Sequence, residues 1–245
     1  MSGSLTDVVR LARLAWLDET TRGEHWALAR DDHCLFLGEY LPGASWAGGA
    51  FNSLVLDFKR APSRILASPY PAAVRRFKKL AIETVALALR RGFGRATVET
   101  ALTFVPLPTS KRPGDDDYCD RLARALQRAF EGWDADIRPL LRLKASSRAD
   151  HERHAERVRR GELLELMELD LAQLERPLRP MIVLFDDVLT SGKHVSVAKA
   201  RIRERFPGQP IVAVLVGRVS RDDSRVRARR LLMDRDAIRF ASGIR

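Results

Sequence analysis

The stretch from Met181 to His194, MIVLFDDVLTSGKH, constrains the fold of this chain more than any other. Its five apolar residues after Pro180 have the composition of a strand buried on both faces, as in parallel sheets covered by helices. The residues after Gly192 follow the i, i+3/i+4 apolar spacing of a helix. A buried strand, a short polar loop and a helix in this order predict an α/β fold with an open, mainly parallel twisted sheet flanked by helices.

The polar residues of this stretch have the chemistry of a sugar-phosphate site. Asp186 and Asp187 follow the apolar run, and carboxylates accept hydrogen bonds from sugar hydroxyls. The backbone N–H groups of Thr190-Ser191-Gly192, at the start of the predicted helix, would attract a phosphate. A Walker A loop would need Gly at Asp187 and Ser or Thr at His194. The remaining alternative is a core strand with an N-cap, in which Asp187 and Thr190 only satisfy backbone donors.

Residues 186–194 resemble the phosphoribosyl-diphosphate (PRPP) signature of type I phosphoribosyltransferases: two acids, two apolar residues, Thr-Thr/Ser-Gly, any residue, then Thr or Ser. The match is complete up to Gly192, and His194 stands where the family has a hydroxyl. The resemblance implies that Asp186 and Asp187 hold the ribose 2′- and 3′-hydroxyls. It also implies a loop around the 5′-phosphate, formed by Val188, Leu189, Thr190, Ser191, Gly192, Lys193 and His194.

A second polar loop follows the predicted strand Thr103-Phe104-Val105. Its two hydroxyls and two cations make it a candidate anion cradle, and a Pro-stiffened turn is the alternative. The Val-Pro-Leu-Pro strand end at 105–108 is similar to that of the ComF-like competence-associated subfamily, although the Arg-Gly-Phe-Asn-Gln pattern of that subfamily is missing at 115–121. The resemblance implies that this loop binds pyrophosphate through Thr109, Ser110, Lys111 and Arg112. Lys111 joins Asp186 and Asp187 as an expected catalytic residue.

Residues 144–154, KASSRADHERH, are polar and basic. In the resembled fold a mobile loop near this point closes over the reacting centre, which makes Lys144, Arg148 and Arg153 candidates for contact with pyrophosphate. His151 and His154 have no third ligand nearby, so we predict no metal site built by the protein. The resemblance implies Mg²⁺ as a cofactor, held mainly by the substrate's phosphates and by water.

Positive charge is concentrated in two parts of the chain, which carries a formal net charge of +11. Residues 59–95 contain ten Lys and Arg against the single acid Glu83, and the tail from Arg218 contains nine Arg against four Asp. Such clusters favour polyanionic partners, either a phosphorylated metabolite or nucleic acid. Phe77 and Phe93 are the only aromatic residues between Val74 and Arg95, which favours the metabolite over stacked bases.

Length and local patterns define the expected organisation. The 245 residues can bury one full core, so we predict an N-terminal decoration at residues 1–50, a phosphoribosyltransferase-like α/β domain at 51–220 and an Arg-rich tail at 221–245. Periodicity predicts a helix over 72–91, with Val74, Phe77, Ala81, Val85 and Ala88 on one face. The predicted strands outside the first motif are 33–37, 103–105, 137–143 and 211–216.

Cys34 and Cys119 lack a Cys-x-x-Cys partner, which fits a reducing cytosol. No apolar run approaches membrane-spanning length, so we expect a cytoplasmic protein without membrane contact. The sequence leaves a homodimer open.

Two functions are therefore expected. One is a transferase that moves the phosphoribosyl group of PRPP to an unidentified nitrogen acceptor and releases pyrophosphate. The other is a non-catalytic accessory protein of the ComF-like type, which senses PRPP or a nucleotide, or binds nucleic acid through the basic helix and the tail.

Overall fold

The computed structural model describes residues 14–145 and 160–220. The strands are β1 (Ala15–Trp16), β2 (His33–Tyr40), β3 (Leu102–Pro106), β4 (Asp136–Ile137), β5 (Leu141–Leu143), β6 (Met167–Leu169), β7 (Met181–Leu189) and β8 (Ile211–Val219). The helices are α1 (Glu19–Arg22), α2 (Ala50–Lys59), α3 (Pro62–Leu66), α4 (Pro71–Gly92), α5 (Arg95–Ala101), α6 (Arg121–Ala129), α7 (Arg160–Leu166) and α8 (Lys193–Arg205). Short 3₁₀ turns occupy Ser45–Gly48 and Leu171–Leu174.

Six strands form the central sheet in the order β1-β2-β8-β7-β3-β4, and all neighbours except β1 and β2 are parallel. Alternate residues of β7 enter cores on opposite faces of the sheet. Val183 and Phe185 pack with α2, α4 and α6, whereas Ile182 and Leu184 pack with α8 and the small sheet β5-β6. The predicted α/β class, with a mainly parallel sheet between helices, is confirmed.

Strand β7 is longer than its apolar run suggests. We predicted that it ends before Asp186, but pairing with β8 continues to Leu189, which lies opposite Arg218. Val188 and Leu189 are buried and extend the strand, and both acids are drawn into the ladder between apolar neighbours. The polar loop therefore begins only at Thr190.

The N-terminal region contributes to the core of the fold. Strand β2 pairs in parallel with β8 along seven residue pairs, from His33 with Val212 to Tyr40 with Val219. The boundary predicted at residue 50 therefore divides a sheet that is continuous in the structure. The tail at 221–245 lies outside the described residues.

The strand predicted at 137–143 is two strands in two different sheets. Strand β4 pairs with β3, whereas β5 pairs antiparallel with β6 in a separate two-stranded sheet. Pro139 lies between them, where its missing N–H costs no ladder hydrogen bond. The second sheet thus projects beyond the carboxyl end of β4.

Helix α4 matches the predicted helix within one residue at each end, but Phe77 does not share its buried face. The Phe77 side chain is 50 % exposed, while Lys78 is buried and donates to the Arg60 carbonyl oxygen. Ala81, Val85 and Ala88 are buried as expected. No helix in the described part of the chain is long and apolar enough to cross a membrane.

Strand order reverses between β3 and β7. From β3 the chain first adds β4 on one side and later returns to add β7 on the other. In open α/β sheets the crevice beyond the carboxyl ends of the strands at such a switch point is where ligands bind. Here the loops after β3 and β7, residues 107–120 and 190–192, flank that crevice.

A buried ion pair ties the N-terminal region to α8. Lys199 contacts Asp32, and their side chains are 7 % and 4 % exposed. Asp32→Ala would leave a buried ammonium group without this counter-ion, so we expect the free energy of unfolding in urea to fall by about 3–5 kcal/mol. Asp31→Ala is the matched control, because this second partner of Lys199 is 61 % exposed and should contribute less than about 1 kcal/mol. Equal losses for the two variants would contradict the assignment.

Candidate functional site

The N-terminal segment before β2 binds two carbonyl groups of the loop between β7 and α8. The Thr190 carbonyl accepts a hydrogen bond from His25 Nδ1 at 2.5 Å, and the Ser191 carbonyl accepts one from the Ala27 amide at 2.9 Å. Within the described part of the chain, the amides of Thr190, Ser191 and Gly192 donate no hydrogen bond to another protein group. Three donors are therefore available at the N-terminus of a 13-residue helix, where the helix dipole also favours an anion.

Gly192 is required by both the conformation and the packing of this loop. Its φ of +85° lies in the left-handed region. A Cβ atom at this position would lie 2.5 Å from Leu28 Cγ, so a side chain would clash with the segment that supports the loop. Residues 25–28 were expected in the N-terminal decoration. No local motif marks them as a support for the loop.

Asp186 is held by its own strand and by the first turn of α8. Its Oδ1 atom accepts the Asp187 amide at 2.8 Å, and its Oδ2 atom accepts His194 Nδ1 at 2.8 Å. His194, which stands where the resembled signature has a hydroxyl, therefore fixes the orientation of the first acid. The Asp186 side chain is 11 % exposed, so part of the carboxylate remains open to the crevice.

Asp187 lies between two cations from different helices. Lys59 Nζ, at the end of α2, is 3.1 Å from Oδ1, and Arg121 Nη2, at the start of α6, contacts Oδ2. Burial alone would raise the pKa of Asp187, but the charges and hydrogen bonds of Lys59 and Arg121 outweigh burial and hold this pKa well below its ordinary value. The second acid is therefore ionised throughout the physiological range.

Local sequence patterns did not place Lys59 or Arg121 in the site. They are 128 and 66 residues from Asp187 along the chain, so no spacing rule connects them. Lys59 belonged only to the basic region 59–95. Arg121 falls where the subfamily pattern is missing.

The loop after β3 reaches the same edge of the sheet. The Leu107 amide donates to the Phe185 carbonyl at 2.9 Å, which sets the start of the loop beside β7. Thr109 Oγ1 donates to the Lys111 carbonyl at 3.1 Å, and Ser110 and Lys111 are half-buried. The structure thus brings the two predicted loops to one crevice.

Arg112 is turned toward the small sheet. Its Nη1 atom donates to the Lys144 carbonyl oxygen at 2.6 Å. Lys144 is exposed and follows β5 directly. The hydrogen bond from Arg112 places it next to the loop after β3. The other two candidates for the mobile loop, Arg148 and Arg153, lie outside the described residues.

The described side chains do not form a Mg²⁺ cage. No group of three or more His, Cys, Asp or Glu in the described ranges could hold a metal ion. Both oxygens of Asp187 contact cations, and both oxygens of Asp117 accept hydrogen bonds from Ser63 at 2.8 Å. Mg²⁺ held by the substrate's phosphates stays a prediction from the resemblance.

Comparison with known proteins adds no relative: no protein-family model matches the chain, and no curated protein matches it either.

Proposed function

We propose that this protein binds PRPP or a related ribose 5-phosphate in the crevice between β3 and β7, on a type I phosphoribosyltransferase-like core nearest in pattern to ComF-like proteins. The observation that carries the proposal is the row of amides at Thr190, Ser191 and Gly192, which have no protein acceptor in the described chain and lie at a helix N-terminus beside the strand-order reversal. The cytoplasm is the proposed location, because Cys34 and Cys119 are both free and buried.

The acids fit the sugar of such a ligand. A carboxylate oxygen has two lone pairs, so the single cation on each Asp187 oxygen leaves room for a ribose hydroxyl. Asp186 lies on the same strand next to the loop and presents a second carboxylate held by His194. With the 5′-phosphate on the loop amides, the 2′- and 3′-hydroxyls would reach this pair of acids.

Transfer of the phosphoribosyl group depends on stabilising the charges that develop as the bond to pyrophosphate breaks. The bond between ribose C1 and pyrophosphate oxygen breaks, the electron pair leaves with pyrophosphate, and the ring develops oxocarbenium character. The preorganised carboxylates stabilise this positive charge, Asp186 more than Asp187 because Asp187 is already paired with two cations. A nitrogen lone pair of the acceptor forms the new bond to C1 from the opposite face. Lys111, half-buried in the loop after β3, is the proposed catalytic cation for the leaving group.

Calorimetry with PRPP and Mg²⁺ tests binding. We expect saturable heat for the wild type and loss of that heat in the double variant Asp186→Asn plus Asp187→Asn. Asp134→Asn is the control, because this acid is 82 % exposed and pairs with Arg179 away from the crevice. A folded wild type that gives no heat with PRPP or ribose 5-phosphate would refute the proposal. Pyrophosphate release with pooled nitrogenous acceptors then distinguishes a transferase from a PRPP sensor.

Nucleic-acid binding is the second candidate function, and one structural feature favours it. Tyr70 and Phe77 are 73 % and 50 % exposed at the start of α4, among the exposed cations Arg75, Arg76 and Lys79. Exposed aromatic rings between cations suit the stacking of single-stranded bases. This arrangement was not visible from the sequence, in which Phe77 belonged to an apolar stripe.

A mobility-shift assay with single-stranded DNA and RNA tests this second candidate. Phe77→Ala should weaken binding by about 1–3 kcal/mol if bases stack on it. Leu171→Ala is the control, because Leu171 is another exposed apolar residue, outside α4. Binding that is independent of salt concentration, or unaffected by Phe77→Ala, would refute a stacking surface at this helix.

A further inference from the structure

Asp187 contacts two cationic side chains, one more than is needed to neutralise its charge. Lys59 and Arg121 both contact it, and their side chains are only 30 % and 12 % exposed. The nearest acid, Asp186, is engaged by His194. Lys78 adds a further cation on the side of Arg121, and burial is the main cause that lowers its pKa. Lys59, Lys78 and Arg121 thus lie near Asp187 and Asp186, three cations against two carboxylates.

Fold stability does not account for this excess. Placing a third cation beside two carboxylates adds a desolvation cost that the carboxylates offset only in part. The donors of Arg121 are also incompletely used: Nη2 contacts Asp187, whereas Nε is buried and has no hydrogen-bond partner in the described part of the chain. Such donors are rare in folded proteins, and this one leaves Arg121 less fully satisfied by the protein than Asp187, whose two oxygens each contact a cation.

We propose that Lys59 and Arg121 form a diphosphate subsite, in which Asp187 is the positioning residue that holds both cations at the crevice. This inference rests on the proposed function. In the ligand, the diphosphate is attached to ribose C1, and C1 is bonded to C2, whose hydroxyl is expected at the acids. Cations in contact with Asp187 therefore lie beside the leaving group.

The loop after β3 is less suited to carry the diphosphate alone. Arg112 donates to the Lys144 carbonyl and points its guanidinium toward the small sheet. Lys59, in contrast, is 30 % exposed beside Asp187, and the Arg121 guanidinium has N–H donors beyond the one on Asp187 with which to reach a phosphate oxygen. The subsite adds cations that neither predicted loop contains, and it explains why Asp187 is already paired.

The test compares three probes by calorimetry: PRPP, ribose 5-phosphate and inorganic pyrophosphate. Lys59→Gln and Arg121→Gln should each lower the affinity for PRPP and for pyrophosphate by about 10- to 100-fold, as expected for loss of a charge-assisted hydrogen bond. The affinity for ribose 5-phosphate, which has no diphosphate, should fall by less than about 3-fold. Arg205→Gln is the control, because Arg205 is an exposed cation in the last turn of α8, at the opposite end of that helix from the loop 190–192.

The outcomes separate this subsite from the proposed function. If Lys59→Gln weakens PRPP and ribose 5-phosphate equally, or leaves PRPP unchanged, the subsite is refuted while the sugar-phosphate site stands. If the wild type binds neither ligand, both proposals are refuted. Arg121→Lys, which keeps the charge but loses the planar contact, replaces Arg121→Gln if circular dichroism shows the latter unfolded. Its diphosphate-specific loss should then exceed that of Arg205→Gln, and equal losses would refute the role of Arg121.

Discussion

Replacing Gly192 by valine is expected to abolish measurable binding of ribose 5-phosphate and PRPP. Valine must adopt φ near +85°, and its Cβ would lie 2.5 Å from Leu28 Cγ. The left-handed conformation costs about 1–2 kcal/mol, and relief of the clash moves the loop. Because a misplacement of about 1 Å can cost 10²-fold, we expect affinity to fall at least about 100-fold in calorimetry.

Gly132→Val is the matched control for this variant. Gly132 has φ of +79°, but an added Cβ there would meet no atom within 4 Å. The two variants share the conformational cost, and only Gly192→Val displaces the loop. Gly132→Val should therefore retain ligand affinity despite a lower free energy of unfolding. Wild-type affinity in Gly192→Val would contradict the role of the loop.

Asp187→Ala should lower the free energy of unfolding by about 3–5 kcal/mol, because it leaves the largely buried Arg121 side chain beside Lys59 without their shared counter-ion. Urea denaturation at pH 7 measures this loss. Asp120→Ala is the control, because Asp120 also pairs with an arginine of α6. Its Oδ1 atom is 3.7 Å from Arg124 Nη1, and its side chain is 49 % exposed, so this pair should contribute less than about 1 kcal/mol.

The pH dependence of the Asp187 effect has a definite sign. A carboxyl whose folded-state pKa is depressed stabilises the fold above its unfolded pKa, about 3.9 for Asp, and loses that contribution as pH falls below this value. The difference between wild type and Asp187→Ala should therefore be constant from about pH 8 to pH 5 and shrink below about pH 4. A difference that grows with acidification would contradict the ion-paired state of Asp187.

Local patterns were sufficient to predict the elements that carry the site. The apolar run from Met181 to Phe185 and the spacing after Gly192 predicted strand, loop and helix in the order observed. The end of β7 was placed too early because paired acids inside a strand oppose strand propensity. Pairing with β8 and burial of Val188 and Leu189 override that preference, and both are tertiary effects.

The partners of the site could not be predicted from local sequence. Lys59 and Arg121 meet Asp187 only because α2 and α6 pack on the same face of the sheet. His25 and Leu28 contact the loop because the segment before β2 packs along α8, where Asp32 pairs with Lys199. These contacts depend on tertiary packing, which no single stretch of the chain encodes.

Titration of ¹⁵N-labelled protein with ribose 5-phosphate, followed by two-dimensional NMR, tests most directly whether the turn before α8 binds a sugar phosphate. We predict saturable shifts of the Thr190, Ser191 and Gly192 amides toward the values of hydrogen-bonded donors, and Gly192→Val should abolish ligand-dependent shifts at 190 and 191. Amides at 190–192 that stay unchanged while ligand binds elsewhere, or that stay unchanged up to millimolar ligand, would contradict the account.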